Sequence, residues 1–245
     1  MTLCHIVVPA RYASTRLPGK PLADIAGEAM IVRVMQQVSQ ATVNSVVAAV
    51  DHPDVLACVE AAGFEAVNTR SDHQSGTDRI MEVAVQRGWS DEDIVVNVQG
   101  DEPLMPVSVV SELTEAMLSD EQVRLATMCE PLADLDDLNN PNVVKVVRDA
   151  QHDALYFSRA PVPYARDEGP FIQNYARHIG IYAYRVEALR AFTSLAVSGL
   201  EEIEKLEQLR WLEAGHSIKV LTAPEAVPGG VDTPEDLARI AAQFA

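Results

Sequence analysis

Residues 4–22 read CHIVVPARYASTRLPGKPL, an apolar run that passes directly into a basic loop. Cys4–Pro9 is rich in β-branched residues, which predicts a buried strand. The loop that follows places Arg11, Arg16 and Lys20 among proline, glycine and small polar residues, a composition unsuited to a core. We therefore expect the first strand to deliver three cations to one edge of a sheet.

The first half of the chain alternates predicted strands with predicted helices. Strands are expected at Ser45–Val50, Glu65–Asn68 and Ile94–Gln99, and helices at Met30–Gln40, Pro53–Ala62 and Thr77–Arg87. The helical stretches repeat their apolar residues closer to every 3.6 positions than to every second one. This order predicts an α/β fold with a mostly parallel central sheet flanked by helices. In open α/β sheets the ligand lies beyond the carboxyl ends of the strands.

The second half is less regular. Strands are expected at Val143–Arg148, Ala154–Phe157, His178–Tyr184 and Ser217–Thr222, and helices at Leu200–Ala214 and Pro234–Phe244. A Pro-rich loop runs from Arg159 to Gln173. Because no repeat or linker divides the chain, we interpret residues 1–245 as a single domain.

Composition limits the partners. The chain is 48% hydrophobic and 5% aromatic, and its formal net charge is -17, which argues against nucleic acid or an anionic membrane as the main partner. The sequence has neither a signal peptide at its N-terminus nor an apolar run long enough to span a membrane, so no membrane insertion is expected. Cys4, Cys58 and Cys129 lack metal-ligand spacing and are interpreted as reduced thiols of a cytoplasmic protein.

The basic loop favours an anionic ligand. It is not a Walker A motif, since Gly19-Lys20 is followed by Pro21 with no earlier glycine in register, and it is not a G-x-G-x-x-G turn. Arginine can hold phosphate oxygens bidentately, and lysine adds a point charge. Phosphate binding and a solvated loop that balances nearby acidic residues both remain open from the charges alone.

Two aspartates follow predicted strands or precede a helix in positions that suit a metal ion. Asp101 stands just after the strand 94–99, in a turn closed by Pro103, where a carboxylate can bind Mg²⁺ together with substrate phosphates. An ordinary turn aspartate is the alternative. Asp232 precedes Thr233, which can cap the last helix by itself and leaves Asp232 free. A shared metal site for the two aspartates is a hypothesis that the sequence neither supports nor excludes.

Three further segments are ambiguous by themselves. The turn 74–79, QSGTDR, opens a helix and could bind an anion or a base, or could simply cap the helix. His178 and Tyr182 share a face of their predicted strand, where a structural role is common. Glu207 and Gln208 lie on a predicted helix, where Glu207 could merely pair with Arg210.

Taken together, these segments resemble the 3-deoxy-manno-octulosonate cytidylyltransferases, also called CMP-KDO synthetases. The matching stretches run in the order PARYASTRLPGKPL, DHQSGTDR, VNVQGDEP, NPNVVKVV, ALYFSRAPVP, RHIGIYAYR, EKLEQLRWLEAG and VDTPEDL. They cover nearly the whole chain. The first motif in combination with QGDEP and VDTPED is highly specific for this family.

The resemblance implies a Rossmann-like fold of the nucleotide-diphosphosugar-transferase type, a homodimer and a Mg²⁺-dependent transfer of CMP from CTP to KDO for lipopolysaccharide synthesis. It implies CTP binding by Ala10, Arg11, Arg16, Lys20, Ser75, Gly76, Thr77 and Gln99. The residues it places around the sugar acid are Gln99, Arg159, His178, Tyr182, Glu207 and Gln208. Asp101 and Asp232 are the expected Mg²⁺ ligands and, with Arg16 and Lys20, the expected catalytic residues. Residues 154–184 are our hypothesis for the dimer interface.

Three alternatives stay open at this point. The same reaction could act on an 8-amino KDO analogue or on a sialic acid. A glycosyltransferase of similar fold would normally show an Asp-x-Asp metal pair, whereas this chain has Gly100-Asp101-Glu102-Pro103. A non-catalytic nucleotide sensor would bind CTP and release no pyrophosphate.

Overall fold

The computed structural model describes residues 2–14, 16–167 and 171–244. Thr15 of the basic loop and residues 168–170 of the Pro-rich loop and expected dimer region lie outside the described residues. Within the described part of the chain the strands are β1 (Cys4–Ala10), β2 (Asp24–Ile25), β3 (Glu28–Ala29), β4 (Ser45–Val50), β5 (Glu65–Asn68), β6 (Ile94–Asn97), β7 (Leu125–Pro131), β8 (Lys145–Arg148), β9 (Ala154–Ser158), β10 (Ala176–Arg185) and β11 (Lys219–Thr222).

Helices lie between most of these strands. They are α1 (Met30–Val38), α2 (Pro53–Ala61), α3 (Gly76–Arg87), α4 (Val107–Ser119), α5 (Leu135–Asn139), α6 (Val186–Ser194), α7 (Gly199–Glu204), α8 (Gln208–Glu213) and α9 (Pro234–Ala241). None of the helices in the described ranges combines the length and the hydropathy needed to cross a lipid bilayer.

The main sheet has the strand order β11-β7-β10-β6-β1-β4-β5 among the described residues. β1 pairs in parallel with both β4 and β6, and β4 pairs in parallel with β5. β10 runs antiparallel between β6 and β7, and β8 and β9 branch from β10. The predicted α/β fold with a mostly parallel sheet is confirmed. Four parallel strands thus end at one edge of the sheet, where their loops meet.

Helices on both faces bury β1 along its whole length. Ile6 and Val8 pack in one core cluster with α1, α2 and α4, whereas Val7 packs in a second cluster with α3, α6 and α8. Successive side chains of a strand point to opposite faces, so a strand covered on both sides needs a continuous apolar run. That requirement explains the continuous apolar run of residues 6–10 in β1.

Two glycines let three chain segments meet at the edge of the sheet. A Cβ atom on Gly100 would lie 2.7 Å from the carbonyl oxygen of Pro9, at the end of β1. A Cβ atom on Gly230 would lie 3.0 Å from the carbonyl oxygen of Asp101. The same oxygen accepts a hydrogen bond from the Val231 amide at 2.9 Å. The turn after β6 is therefore held against both β1 and the segment that leads into α9.

The single helix predicted over Leu200–Ala214 is wrong. The chain forms α7 and α8, separated at Lys205, whose φ of 54° is left-handed. The Arg159 guanidinium explains the interruption, since its Nε donates to the Glu204 carbonyl oxygen at 2.7 Å. The last carbonyl groups of a helix have no donor within the helix, and here the Arg159 side chain, from the loop after β9, supplies the donor for Glu204.

Several elements lie where none was predicted, including β7, α4 and α6. The predicted strands and helices otherwise match observed ones with shifted ends; for example, the strand expected from Val143 begins at Lys145, and the helix expected to reach Phe244 ends at Ala241. The interpretation of residues 1–245 as one domain stays a prediction.

Candidate active site

A cleft of about 360 Å³ opens at the carboxyl ends of β1 and β6. Nine residues predicted from the sequence line it: Ala10, Arg11, Arg16, Lys20, Ser75, Gly76, Gln99, Asp101 and Asp232. They come from the basic loop, the turn before α3, the turn after β6 and the segment before α9. The parallel strands place these loops side by side although they are far apart in the sequence.

Lys20 joins the two aspartates at the centre of the cleft. Its Nζ lies 2.5 Å from Asp101 Oδ2 and 3.0 Å from Asp232 Oδ1, and its side chain is only 13% exposed. Arg16 adds a contact of 3.3 Å to the other oxygen of Asp232. Burial by itself lowers the pKa of Lys20, but Asp101 and Asp232 outweigh it, so the pKa is raised and the ammonium stays charged. The structure thus brings together the two aspartates whose pairing was a hypothesis.

The Asp232 side chain does not cap helix α9. Thr233 caps α9 by accepting from the Asp236 amide, and the Asp236 carboxylate accepts hydrogen bonds from the Thr233 amide and hydroxyl. This capping box provides hydrogen-bond partners for backbone N–H groups at the start of α9 without using the Asp232 side chain. The prediction that Thr233 suffices as the cap is confirmed, and the Asp232 carboxylate points into the cleft.

The two aspartates suit a divalent cation. Both carboxylates converge on one positive group, and their side chains are 34% and 52% exposed, which leaves room for water and phosphate oxygens. Mg²⁺ is usually held by one or two carboxylates plus substrate phosphates. Among the described residues, no group of three or more His, Cys, Asp or Glu side chains is arranged to hold a metal. A cation here would need ligands from the substrate.

Burial, and then the charge of Asp101, raise the pKa of the neighbouring Glu102 to about 7. This carboxyl is therefore partly protonated at neutral pH. Its protonated form adds no third negative charge beside Asp101 and Asp232.

The turn before α3 caps the helix and also lines the cleft. Ser75 caps the helix through a capping box with Asp78, and Gly76 lines the cleft. The Thr77 hydroxyl points away from the cleft and donates to Glu207 Oε2 at 2.7 Å. Thr77 lines the inner pocket that adjoins the cleft, and its contact with the cytidine stays a prediction.

A second, inner pocket of about 70 Å³ adjoins the cleft. Its lining residues are Gly76, Thr77, Asn97, Gln99, Tyr182, Tyr184, Phe192, Glu207 and Gln208. Gly76 and Gln99 line both spaces, so the two are neighbours. Three of the predicted sugar-binding residues, Tyr182, Glu207 and Gln208, therefore lie together with Gln99.

Glu207 does not form the alternative ion pair with Arg210. Arg210 instead forms two bonds of 2.7 and 2.6 Å to Glu201. Burial raises the pKa of Glu207, and hydrogen bonds from Thr77 and Ser75 oppose that shift. The carboxyl group of Glu207 is thus fixed at the wall of the inner pocket by the Thr77 hydroxyl.

Curated relatives match this chain over its whole length. It is 46% identical over 248 residues to the 3-deoxy-manno-octulosonate cytidylyltransferase of Francisella tularensis subsp. novicida, covering 100% of this chain and 99% of that protein. It is 50% identical over 244 residues to the enzyme of the same name from Yersinia enterocolitica, covering 96% of each. The chain belongs to the 3-deoxy-manno-octulosonate cytidylyltransferase family.

Other comparisons agree with this assignment. The family model described as cytidylyltransferase matches residues 5–218. A solved CMP:2-keto-3-deoxy-manno-octonic acid synthetase, complexed with CTP, has a TM-score of 0.92 at 41% identity and covers 99% of this chain and 98% of its own. A cytidylyltransferase from Leptospira borgpetersenii, at 15% identity and a TM-score of 0.61, covers 96% of this chain and 84% of its own and shows a shared fold alone.

Two residues that the family resemblance places around the sugar line neither space. Arg159 donates to backbone carbonyls of Pro141 and Glu204, both at 2.7 Å. His178 Nε2 lies 3.0 Å from Thr127 Oγ1. Burial, aided by Arg177, lowers the pKa of His178 to about 3, so the ring is neutral at physiological pH. The structure does not bring Arg159 or His178 to the pockets, and their contact with sugar stays a prediction.

A buried ion pair that was not predicted from the sequence lies beneath the basic loop. Arg79, with a side chain 2% exposed, lies 2.9 Å from Asp51 Oδ2 and also bonds the Thr69 hydroxyl. The other Asp51 oxygen accepts from the Tyr12 amide at 2.9 Å. The arginine stands in a helix among apolar residues, which is the one sequence signal that it is buried. Through Asp51, Arg79 fixes the start of the basic loop.

Asp51→Ala should destabilise the protein by about 3–5 kcal/mol, because it leaves the Arg79 guanidinium buried without its partner. It should also weaken CTP binding, since the Tyr12 amide loses its acceptor. Urea denaturation at pH 7 and calorimetric CTP titration measure the two effects. Asp72→Ala is the matched control. Its pair with Arg70 is exposed, 65% and 69% by side chain, and should contribute less than about 1 kcal/mol. Equal losses in both variants would contradict the anchoring role.

Proposed function

We propose that this chain transfers CMP from CTP to the anomeric hydroxyl of KDO, giving CMP-KDO and pyrophosphate. CMP-KDO would then supply KDO for lipopolysaccharide synthesis. Membership of the cytidylyltransferase family supports the reaction, and the names of the two curated relatives support KDO as the acceptor. The two names give no support to the 8-amino analogue or sialic acid.

One observation supports the proposal above the others. The cleft holding Lys20, Asp101 and Asp232 shares Gly76 and Gln99 with the inner pocket, which is rich in hydroxyl, amide and carboxyl groups. A triphosphate in the outer cleft would therefore lie beside a polyhydroxy ligand that reaches the inner pocket. A nucleotide sensor has no need of the second space.

The basic loop supplies the positive charge for CTP. Arg11 is exposed and its Nε donates to the Ala13 carbonyl, which turns the guanidinium along the loop. Arg16 and Lys20 lie at the aspartates. Fixed cations at the phosphates stabilise the negative charge that grows on the departing pyrophosphate. The anomeric oxygen forms the new bond to the α-phosphorus as the bond to pyrophosphate breaks.

Asp101 and Asp232 would hold Mg²⁺ in this reaction. When bound, the ion supplies Lewis-acid polarisation of phosphate oxygens and lowers the pKa of a nearby hydroxyl. Asp101 and Asp232 keep their carboxylates at the cleft through the backbone bond between Val231 and Asp101 and the Thr233 cap. The proton of the sugar hydroxyl would pass to water in the cleft, which reaches the half-exposed aspartate side chains.

The inner pocket would bind part of the sugar acid. Tyr182 and Tyr184 have their hydroxyl pKa raised, chiefly by burial, so both stay protonated and can donate hydrogen bonds. The Gln99 and Gln208 amides add donors and acceptors. The same groups could bind a nucleotide sugar, but a glycosyltransferase finds no support in the family assignment.

A homodimer and a cytoplasmic location complete the proposal. Leu155, Tyr164 and Phe171, inside residues 154–184, are 61%, 86% and 62% exposed, an arrangement that favours cover by a second copy. Sedimentation velocity would distinguish one chain from two. The three cysteines form no disulfide in the described residues, which agrees with a reducing compartment.

Pyrophosphate release tests the reaction and the acceptor together. With CTP, Mg²⁺ and KDO the protein should release one pyrophosphate for each CMP-KDO formed. Matched reactions contain 8-amino KDO, a sialic acid or no sugar, and we expect little release in them. Release with another sugar acid alone would overturn KDO as the substrate. Tight CTP binding without release in any reaction would favour the nucleotide sensor.

Asp101→Asn should reduce turnover by at least about 100-fold, because an amide binds the divalent ion far more weakly than a carboxylate. CTP affinity without metal should change much less. Pyrophosphate release and calorimetric titration of CTP give the two values. Glu235→Gln is the control, since Glu235 is an exposed residue of the nearby helix α9. Unchanged turnover in Asp101→Asn would contradict the metal assignment.

A further inference from the structure

Asn97 places an unpaired acceptor inside the protein. It is the last residue of β6, is 2% exposed, and stands across from Tyr182 of β10. Its Oδ1 is buried and has no hydrogen-bond partner among the described residues. Burying such an oxygen without a partner costs free energy that an apolar residue would avoid. The three strand residues before it, Ile94–Val96, are all apolar.

A second unpaired group faces the same space. Gln208 Nε2, in a residue 7% exposed, is also buried without a partner in the described part of the chain. Asn97 and Gln208 both line the inner pocket, so a free acceptor and a free donor share it without bonding to each other. A hydroxyl group has one donor hydrogen and acceptor lone pairs, and so can satisfy both at once.

The size of the pocket limits what can enter. At about 70 Å³ it is too small for a whole sugar and suits one or two polar groups. Gln99, which lies two residues beyond Asn97 and lines both spaces, connects it to the outer cleft. A ligand bound in the outer cleft could thus insert one hydroxyl here.

We propose that Asn97 is a specificity-determining residue that reads one hydroxyl of the sugar acid. Asn97 Oδ1 accepts the hydrogen of that hydroxyl, and Gln208 Nε2 donates to its oxygen. The inference rests on the proposed function and adds the residue that recognises the acceptor. An ordered water in the pocket is the competing occupant, and it predicts no effect on sugar affinity.

Asn97→Leu is the main test, because leucine has nearly the same size and removes the acceptor. The KM for KDO should rise about 10- to 100-fold, since a sugar hydroxyl would be left unpaired in a buried site. The KM for CTP should change less than about twofold. The urea midpoint should stay the same or rise, because no protein hydrogen bond is lost. Asn97→Ala gives a second measurement if the leucine does not fit.

Thr114→Val is the matched control. Thr114 is also buried and polar, but its hydroxyl already donates to the Val110 carbonyl at 2.9 Å, and it lies on α4 away from both pockets. This variant should lower the urea midpoint and leave both KM values unchanged. A purely structural role for Asn97 would make Asn97→Leu behave in the same way.

KDO analogues lacking one hydroxyl identify the group that is read. We expect one analogue for which wild type and Asn97→Leu have the same KM, because the interaction is already absent. For the other analogues, the KM of Asn97→Leu should exceed that of wild type by the same factor as for KDO.

An unchanged KM for KDO in both Asn97 variants would overturn the proposal and leave a water site. A lowered urea midpoint with equal losses for KDO and CTP would also overturn it. Wild type that releases no pyrophosphate with KDO would overturn the proposed function itself, and so is distinguishable from these two results.

Discussion

The contact of Lys20 with Asp101 and Asp232 is the interaction on which the site depends. At 2.5 and 3.0 Å it holds three chain segments at one point, and it does so in a protein of formal net charge -17. Two anionic substrates could not approach each other in such a protein without local positive charge. In the function proposed above, Arg11, Arg16 and Lys20 would provide that charge for the phosphates, and the two carboxylates would hold a divalent cation.

Contacts at the edge of the sheet hold these charged groups in place. β1 is buried on both faces, Gly100 lets the turn after β6 touch Pro9, and the Asp51–Arg79 pair holds the Tyr12 amide. The basic loop is therefore anchored at its start and at Lys20. The inner pocket adjoins the same edge, and Gly76 and Gln99 line both it and the cleft, so the proposed sugar site lies beside the proposed site of phosphate transfer.

Much of this arrangement could be predicted from the sequence, since apolar runs, caps and strand-end loops are local signals. The strand at residues 45–50, the Thr233 cap and the position of the basic loop depend only on neighbours in the chain. The break at Lys205 could not be predicted, because it depends on Arg159 from a distant loop. The unpaired oxygen of Asn97 could not be predicted either, because the lack of a hydrogen-bond partner depends on how the pocket packs. The neighbours of Asn97 in the sequence indicate only a buried strand.

The most direct test of the charge arrangement is calorimetric binding of CTP and of CMP to the wild-type protein, in Mg²⁺ and at about 0.15 M ionic strength, where exposed charges are largely screened. Two charge-assisted contacts to the outer phosphates should make CTP bind about 100-fold or more tightly than CMP. The ratio of the CTP affinity to the CMP affinity should fall when Arg16 is replaced by glutamine. Equal affinities for CTP and CMP would contradict the account, because the basic loop would then not hold the triphosphate.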